Sequence, residues 1–174
     1  GTEFEQRYTI EGEVGKGGMG AVFRVFDKKL GRSLAMKVIL GQADASRTGK
    51  TPEVSPHLLQ RFLNEARITG QLEHPGIVPV HEVGVDSEGR VYFTMKLVKG
   101  RTLGAVLKRL AQGDPEWSRS RVLQVMQRVC EALAYAHERG VVHRDLKPQN
   151  VMVGDFGEVY VMDWGLARRV GDAA

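Results

Sequence analysis

The 174-residue sequence has a single cysteine and no long apolar run. One thiol excludes an internal disulfide, and Cys130 falls in an apolar helical pattern, so we expect a buried structural thiol in a cytoplasmic protein. Without about 20 consecutive apolar residues, no membrane helix is predicted in this chain. The net charge of +4 comes from basic residues that form no dense cluster with interleaved aromatics. A nucleic-acid partner is therefore not expected.

The apolar residues that are present predict β structure first and helices later. Short runs broken by glycines predict strands at Tyr8 to Glu13, Ala21 to Asp27 and Ser33 to Leu40. A loop over Gly41 to Pro56 is followed by a predicted helix, His57 to Leu72. The next prediction is a hairpin made of Ile77 to Val83 and Arg90 to Leu97.

From Thr102 onward the spacing of apolar residues becomes helical. Leu103 to Ala111 predicts a short helix, and a longer one ends near Arg139. Its apolar stripe consists of Val122, Met126, Val129, Leu133 and Ala136. Short strands are predicted at 141–142, 151–153 and 159–162. We therefore predict an α+β fold with an antiparallel β-rich lobe containing one helix over 1–99 and a partial, mainly helical lobe over 100–174.

A glycine-rich segment, Gly15 to Val22, matches the pattern G-x-G-x-x-G-x-V. Glycines let the backbone approach phosphates, whose charge the backbone N–H groups can bind. Dinucleotide-binding oxidoreductases share the pattern, but their glycines open a helix, whereas Ala21 to Phe26 predicts a strand. The candidate phosphate-binding residues are Gly15, Lys16, Gly17, Gly18 and Gly20. A second phosphate-loop likeness, Gly49-Lys50-Thr51, has Asp44 where the first glycine is required, so we interpret it as loop.

Lys37 lies in a predicted half-buried strand, between Met36 and Val38. A lysine in this position can reach the phosphates of a nucleotide if a carboxylate holds it in place. The alternative is a solvated lysine at a sheet edge. Glu65, on the following predicted helix, is the candidate partner, although alone it would be an ordinary surface residue.

The strongest signal is the segment His143 to Asn150, which matches H-R-D-L-x-x-x-N at every fixed position. On this motif the chain resembles the protein kinase superfamily. Gly15 to Asp27 and His74 to Gly84 resemble in particular the eukaryotic-like (Hanks-type) serine/threonine kinases of bacteria. The resemblance implies ATP and Mg²⁺ as cofactors and phosphoryl transfer to protein Ser/Thr hydroxyls. It also implies that Asp145 accepts the hydroxyl proton, that Lys147 neutralises the γ-phosphate, and that Asn150 holds a metal ion.

Two segments compete for the second metal-binding position of such a kinase. Asp155-Phe156-Gly157 matches D-F-G by letter, and Asp163-Trp164-Gly165 does not. However, Gly154 to Glu158 is the predicted turn between two strands, which would leave Asp155 at a hairpin tip. We therefore assign the metal ligand to Asp163, with Trp164 in place of the usual phenylalanine.

The resemblance further implies an adenine pocket. Met95 would be the gatekeeper, and backbone groups of Lys96 and Val98 would face the base. Val22, Ala35 and Met152 would sandwich the ring, although each of them could equally be plain core.

Eleven residues follow Asp163, with no Ser, Thr or Tyr among 164–174. On the resemblance, we expect a partial second lobe in which Arg144 has no phosphorylated residue of this chain to bind. Apolar surface left open would be covered by self-association, as a homodimer or with exchange of a segment. The alternative function is a nucleotide-binding or scaffolding kinase fragment that transfers nothing.

Overall fold

The computed structural model describes residues 2–17, 20–40 and 54–171. The chain divides into two compact units, Gly1–Ala66 with Val80–Leu97 and Arg67–Pro79 with Val98–Ala174. The predicted boundary at 99–100 therefore differs by two residues, and residues 67–79, which we placed in the first lobe, group with the second unit. Residues 41–53 of the predicted loop, including Gly49-Lys50-Thr51, lie outside the described residues.

A five-stranded antiparallel sheet forms most of the first unit, in the order β1-β2-β3-β5-β4. Its strands are β1 (Tyr8–Gly17), β2 (Gly20–Asp27), β3 (Arg32–Ile39), β4 (Val80–Val85) and β5 (Val91–Lys96). The alternation of side chains along these short β-branched runs gives each strand two faces. The predicted strands and the hairpin over 86–89 are confirmed, with small differences at their ends.

Apolar side chains are buried on both faces of this sheet. One cluster comprises Tyr8, Val25, Leu34, Met36, Val38 and Tyr92. The other comprises Ile39 and Phe93 of the sheet with Phe62 and Ala66 of helix α2 (Pro56–Gln71). Residues 36 and 38 thus face one way and Ile39 the other, as the two-residue period of a strand requires.

A polar cluster joins the N-terminal segment to the sheet. Helix α1 (Glu3–Arg7) is capped by Thr2, and its Arg7 donates to Asp27 at 3.2 Å and to Glu82 at 2.6 Å. The Asp27 side chain is fully buried and also accepts the backbone N–H groups of Lys29 and Leu30. Burial opposes ionisation of Asp27, but the hydrogen bond from Arg7 and those from the turn outweigh it, so its pKa is lowered.

The same cluster perturbs two tyrosines. Tyr8 donates its hydroxyl proton to Glu82 Oε1 at 2.5 Å, and Tyr92 donates to the same oxygen at 3.3 Å. Burial raises the pKa of Tyr92 to about 12, and the negative charge of Glu82 adds to the effect. The pKa of Tyr8 is raised for the same two reasons.

The second unit combines helices with short strands. Its helices are α3 (Leu103–Ala111) and α4 (Arg119–Glu138), and Pro148–Asn150 form one turn of 3₁₀-helix. Its strands are β6 (Gly100–Thr102), β7 (Val141–Val142), β8 (Val151–Gly154), β9 (Val159–Val161) and β10 (Arg168–Arg169). Strands β6, β8 and β9 form one antiparallel sheet in that order, and β7 pairs with β10.

The buried face of α4 differs from the predicted apolar stripe. Val125, Val129, Ala132 and Ala136 are its buried residues, whereas Met126 is 40% exposed. Cys130 is also exposed, so the expected buried thiol is wrong. The reason is geometric, because each residue turns a helix by about 100°, which carries 126 and 130 away from the face of their buried neighbours 125 and 129.

Ile77 has a different place from the one predicted. It is buried and forms a parallel bridge with Val161, so it belongs to the second unit rather than to the hairpin, whose first strand begins at Val80. Within the described part of the chain, no helix is long and apolar enough to cross a membrane.

Candidate active site

The predicted site residues fall into two groups, one in each unit. The first unit carries the residues predicted to bind phosphate and part of the predicted adenine pocket. The second carries the H-R-D motif, the two candidate metal ligands, Val98 and Met152. Gly18 of the glycine loop lies outside the described residues.

In the first unit, neighbouring strands bring the predicted residues side by side. Gly15 lies opposite Val22, and Val22 lies opposite Lys37. Ala35, two residues from Lys37 on β3, lies opposite Met95 on β5. Directly opposite residues and residues two apart share a face of a sheet. Val22, Ala35, Lys37 and Met95 therefore occupy one face, and Lys96 is exposed at the end of β5.

Lys37 and Glu65 form the ion pair expected from the sequence. The ammonium nitrogen lies 2.9 Å from Oε1 and 2.8 Å from Oε2 of the carboxylate. Both side chains are largely buried, with exposed fractions of 14% and 7%. Lysine is a flexible point charge, so this two-oxygen contact fixes where its charge sits.

The described ends of the glycine loop are paired with each other and lie close to β3. Lys16 pairs with Ala21 and Gly17 with Gly20, so β1 and β2 stay paired up to residues 17 and 20. A Cβ atom at Gly20 would lie 2.1 Å from the carbonyl oxygen of Val38 on β3. Glycine is required there because the neighbouring backbone occupies the space of a side chain.

In the second unit, Asn150 is hydrogen-bonded to Asp145 of the catalytic-loop motif. Its Nδ2 donates to the main-chain oxygen of Asp145 at 2.9 Å and to Asp145 Oδ2 at 3.2 Å. The other carboxylate oxygen of Asp145 lies 3.4 Å from Lys147 Nζ. Asp145 is half-buried and Lys147 is exposed. The carboxylate is therefore oriented by an amide on one oxygen and lies near an exposed cation on the other.

His143 links this loop to the segment that carries Asp163. The ring is buried; its Nδ1 accepts the N–H of Asp145 at 3.1 Å, and its Nε2 donates to the carbonyl of Met162 at 2.8 Å. An amide only donates and a carbonyl only accepts, so these partners define a neutral ring protonated at Nε2. The motif placed His143 in the catalytic loop, but this linking role was not predicted from the sequence.

The segment around Asp163 is held beside Asn150. The N–H of Met162 donates to the carbonyl of Asn150 at 2.7 Å. Asp163 has a positive φ of 55°, and its Oδ1 accepts the N–H of Gly165 at 3.3 Å. This backbone conformation is uncommon for a residue other than glycine and is frequent at functional sites.

Trp164 packs against His143 and anchors the segment that carries Asp163. Its side chain is buried, and its Nε1 donates to the carbonyl of Val161 at 3.1 Å. Its ring packs edge-on against the ring of His143, with the ring centroids 4.6 Å apart. A phenylalanine could fill part of this space but could not make the hydrogen bond. The sequence shows Trp164 only as a departure from D-F-G and does not predict the hydrogen bond of its indole N–H.

The segment that matches D-F-G by letter lies elsewhere. Asp155 and Phe156 form the tip of the β8–β9 hairpin, and Phe156 is 95% exposed. The predicted position of Asp155 at a hairpin tip is confirmed. Met152, on β8, is half-buried and lies opposite Tyr160, and Val98 is also half-buried.

Arg144 is engaged by the main chain. It has a positive φ of 67°, and its Nε donates to the carbonyl of Leu166 at 2.7 Å. The guanidinium is exposed and retains further donors.

The donor set of this unit fits a magnesium ion. Among the described residues no group of three or more His, Cys, Asp or Glu side chains is clustered for a metal. Mg²⁺, however, is usually held by one or two protein oxygens together with substrate phosphates and water. Nδ2 of Asn150 is hydrogen-bonded to Asp145, so the amide oxygen of Asn150 is the atom that can bind a cation. The carboxylate of Asp163 is exposed and can supply a second oxygen ligand.

The sequence matches the family described as protein kinase domain over residues 8–174. The chain belongs to the protein kinase family. The kinase domain is 38% identical over 169 residues to the serine/threonine-protein kinase PknD of Protochlamydia amoebophila, a match that covers 92% of this chain and 16% of that protein. It is 40% identical over 169 residues to PknD of Chlamydia trachomatis serovar D, covering 93% of this chain and 17% of the relative.

These matches confirm the resemblance to bacterial serine/threonine kinases and the kinase-like α+β fold. The kinase domain spans about one sixth of the length of these curated relatives, 16% and 17%.

Proposed function

We propose that this kinase domain transfers the γ-phosphoryl group of ATP to serine or threonine hydroxyls of proteins. The observation that carries the proposal is the arrangement of Asp145, whose carboxylate is oriented by Asn150 and backed by Lys147. The names of the relatives support the choice of serine and threonine as acceptors.

The reaction would use these groups as follows. The acceptor hydroxyl donates its proton to a carboxylate oxygen of Asp145 while its own oxygen bonds to the γ-phosphorus. The bond between the γ-phosphorus and the bridging oxygen breaks, and ADP leaves with that oxygen. Lys147, 3.4 Å from the carboxylate, is placed to offset the negative charge near the transferred group.

Nucleotide and metal would be bound by the remaining predicted residues. Lys37, held by Glu65, offers a fixed ammonium to the α- and β-phosphates, and the glycine loop offers backbone N–H groups. Asn150 and Asp163 would hold Mg²⁺, which supplies charge neutralisation for the phosphates.

Labelled ATP tests this proposal with two matched aspartate variants. We expect label on a serine- and threonine-containing protein substrate, dependent on Mg²⁺ and lost in Asp145→Asn and Asp163→Asn. Asp155→Asn, at the exposed hairpin tip, is expected to keep full transfer. Transfer lost in Asp155→Asn and kept in Asp163→Asn would refute the metal assignment. ATP binding without transfer in any chain would favour a nucleotide-binding or scaffolding role.

We also propose that the kinase domain self-associates through α4. Leu123 (68% exposed), Met126 and Cys130 follow one another at helical spacing and form an exposed apolar stripe. A stripe of this kind can pair with its own copy about a two-fold axis. Light scattering should show a dimer that Leu123→Glu dissociates and that Leu30→Glu, an exposed control in the first unit, does not. A monomer at all concentrations would contradict the proposal.

A further inference from the structure

A concave surface lies in the second unit, on residues that the phosphoryl-transfer proposal does not use. Two cavities, of about 480 and 150 Å³, both have Arg128 and Val159 in their walls. The larger also contains Phe156, and the smaller contains Trp117 and Arg121. We call this pair of cavities the Arg128 surface.

The small cavity is lined by hydrogen-bond donors and by apolar side chains. Its polar lining consists of Arg121, Arg128, Gln124 and Trp117, and no carboxylate lines it. Arg128 Nη1 donates to the carbonyl of Gly157 at 3.0 Å, and Arg128 forms no ion pair within the described part of the chain. Its guanidinium is therefore held in place with no carboxylate of the described residues within ion-pair distance, a setting that favours an anionic ligand.

Arg121 adds a second oriented cation to the same cavity. Its guanidinium stacks on the Trp117 ring at 4.2 Å, and its Nη1 donates to the main-chain oxygen of Glu116 at 2.7 Å. The Glu116 carboxylate lies 3.8 Å from Arg121 Nη1 and also pairs with Arg101 and Arg109, and Arg109 pairs with Asp114 as well. Three arginines thus share two carboxylates, which leaves positive charge in excess. The buried Nε1–H of Trp117 finds no acceptor among the described residues.

The large cavity supplies an apolar contact. The Phe156 side chain is 95% exposed, although burying an aromatic ring is strongly favourable. Exposed aromatic residues beside arginine are typical of the centres of protein interfaces. Glu131 and Glu158 also line this cavity, which disfavours a second acidic group there. A ligand that fits both cavities has one carboxylate at the arginines and an apolar group beside Phe156.

We propose that the Arg128 surface docks an extended segment of the protein substrate that carries one acidic residue beside an apolar one. A glutamate or aspartate of that segment occupies the small cavity between Arg121 and Arg128, and a neighbouring apolar side chain packs on Phe156. The proposal rests on the proposed function in that the docked protein is a substrate of this kinase domain. Docking itself needs no ATP, because the surface shares no residue with the nucleotide-binding and catalytic groups.

Binding of labelled octapeptides tests the docking step without catalysis. Peptides of Gly and Ser carry one Leu and one Glu separated by one, two or three residues, and matched peptides carry Gln in place of Glu. Fluorescence anisotropy should show at least one Glu peptide binding about tenfold more tightly than its Gln match, as expected for a charge-assisted hydrogen bond. Equal binding of the Glu and Gln peptides, or no binding of either, would overturn the proposal.

Variants of the surface separate a specific site from general charge attraction. Arg121→Gln with Arg128→Gln should remove the preference for Glu, and Phe156→Ala should weaken binding several-fold without lowering the melting temperature. Arg119→Gln with Lys108→Gln makes the same change in net charge at two exposed residues that line neither cavity and should bind as the wild type. An equal loss in this control pair would show that only net charge matters.

Kinetics connects docking with transfer. With a substrate protein that carries the best peptide, Arg121→Gln with Arg128→Gln should raise KM about tenfold and leave kcat within twofold, because docking does not touch the reacting atoms. An unchanged KM would overturn the substrate role. If no chain transfers phosphate while the Glu preference persists in the binding assay, the proposed function fails and the docking site stands.

Discussion

Replacing Glu65 by glutamine removes one charge from the ion pair with Lys37 while keeping the side-chain shape. Both carboxylate oxygens contact the ammonium nitrogen, at 2.9 and 2.8 Å, and the two side chains are only 14% and 7% exposed. Removing one partner of a buried pair costs about 3–5 kcal/mol. Glutamine still offers one oxygen to the lysine, so we expect a loss of about 2–3 kcal/mol in the free energy of unfolding.

The assay must report on the first unit. Both tryptophans, Trp117 and Trp164, belong to the second unit, so their fluorescence does not follow unfolding around β3. Urea unfolding should therefore be followed by far-UV circular dichroism, supported by hydrogen exchange of the β3 amides. We expect a lower midpoint and faster exchange in Glu65→Gln.

A matched control sets the scale of this effect. Glu88 pairs with Arg90 at 3.1 Å, but its side chain is 64% exposed, so Glu88→Gln should change the stability by less than about 1 kcal/mol. If Glu65→Gln is no more destabilising than this control, the Lys37–Glu65 pair is not held in a buried geometry. The argument that it positions the lysine charge would then be refuted.

Three further changes have expected outcomes. Gly20→Ala should cost about 1–3 kcal/mol because its Cβ would overlap a strand carbonyl, whereas Gly12→Ala, with open space around it, should be tolerated in the same melting experiment. Trp164→Phe should lose about 1 kcal/mol with its hydrogen bond and raise the Mg²⁺ concentration needed for half-maximal nucleotide binding; an unchanged Mg²⁺ titration would contradict its positioning role. The lowered pKa of Asp27 means that the unfolded chain binds more protons than the folded one, so its stabilisation is present above about pH 4 and is lost on further acidification. Urea midpoints between pH 3 and 7 should depend less on pH in Asp27→Asn; an equal slope would show that other carboxylates dominate.

Local patterns predicted much of the fold and the placement of the site. The strands of the first unit follow from runs of β-branched residues, and the choice of Asp163 over Asp155 follows from recognising a hairpin between them. Both signals lie within a few residues of the feature they predict. The H-R-D motif was equally local, because its eight residues form one loop closed by Asn150.

Other features depend on partners that are distant in sequence. Arg7 contacts Glu82, which is 75 residues away in the sequence, and no local pattern around either residue predicts the contact. Ile77 lies in a run typical of a strand, but its bridge to Val161 places it in the other unit. The exposure of Cys130 could not be predicted because apolar spacing locates a helical face only to within about one residue, or 100° of rotation.

The attachment of α1 has a consequence for where this domain should be taken to begin. The family match starts at Tyr8, yet the guanidinium that balances the buried Asp27 belongs to Arg7, one residue earlier. A chain shortened to start at Tyr8 would leave that carboxylate buried with only backbone N–H groups as partners, and would take one cation from Glu82. In physical terms the domain includes at least α1 and its Thr2 cap, so comparisons of such domains should include the residues ahead of the family boundary.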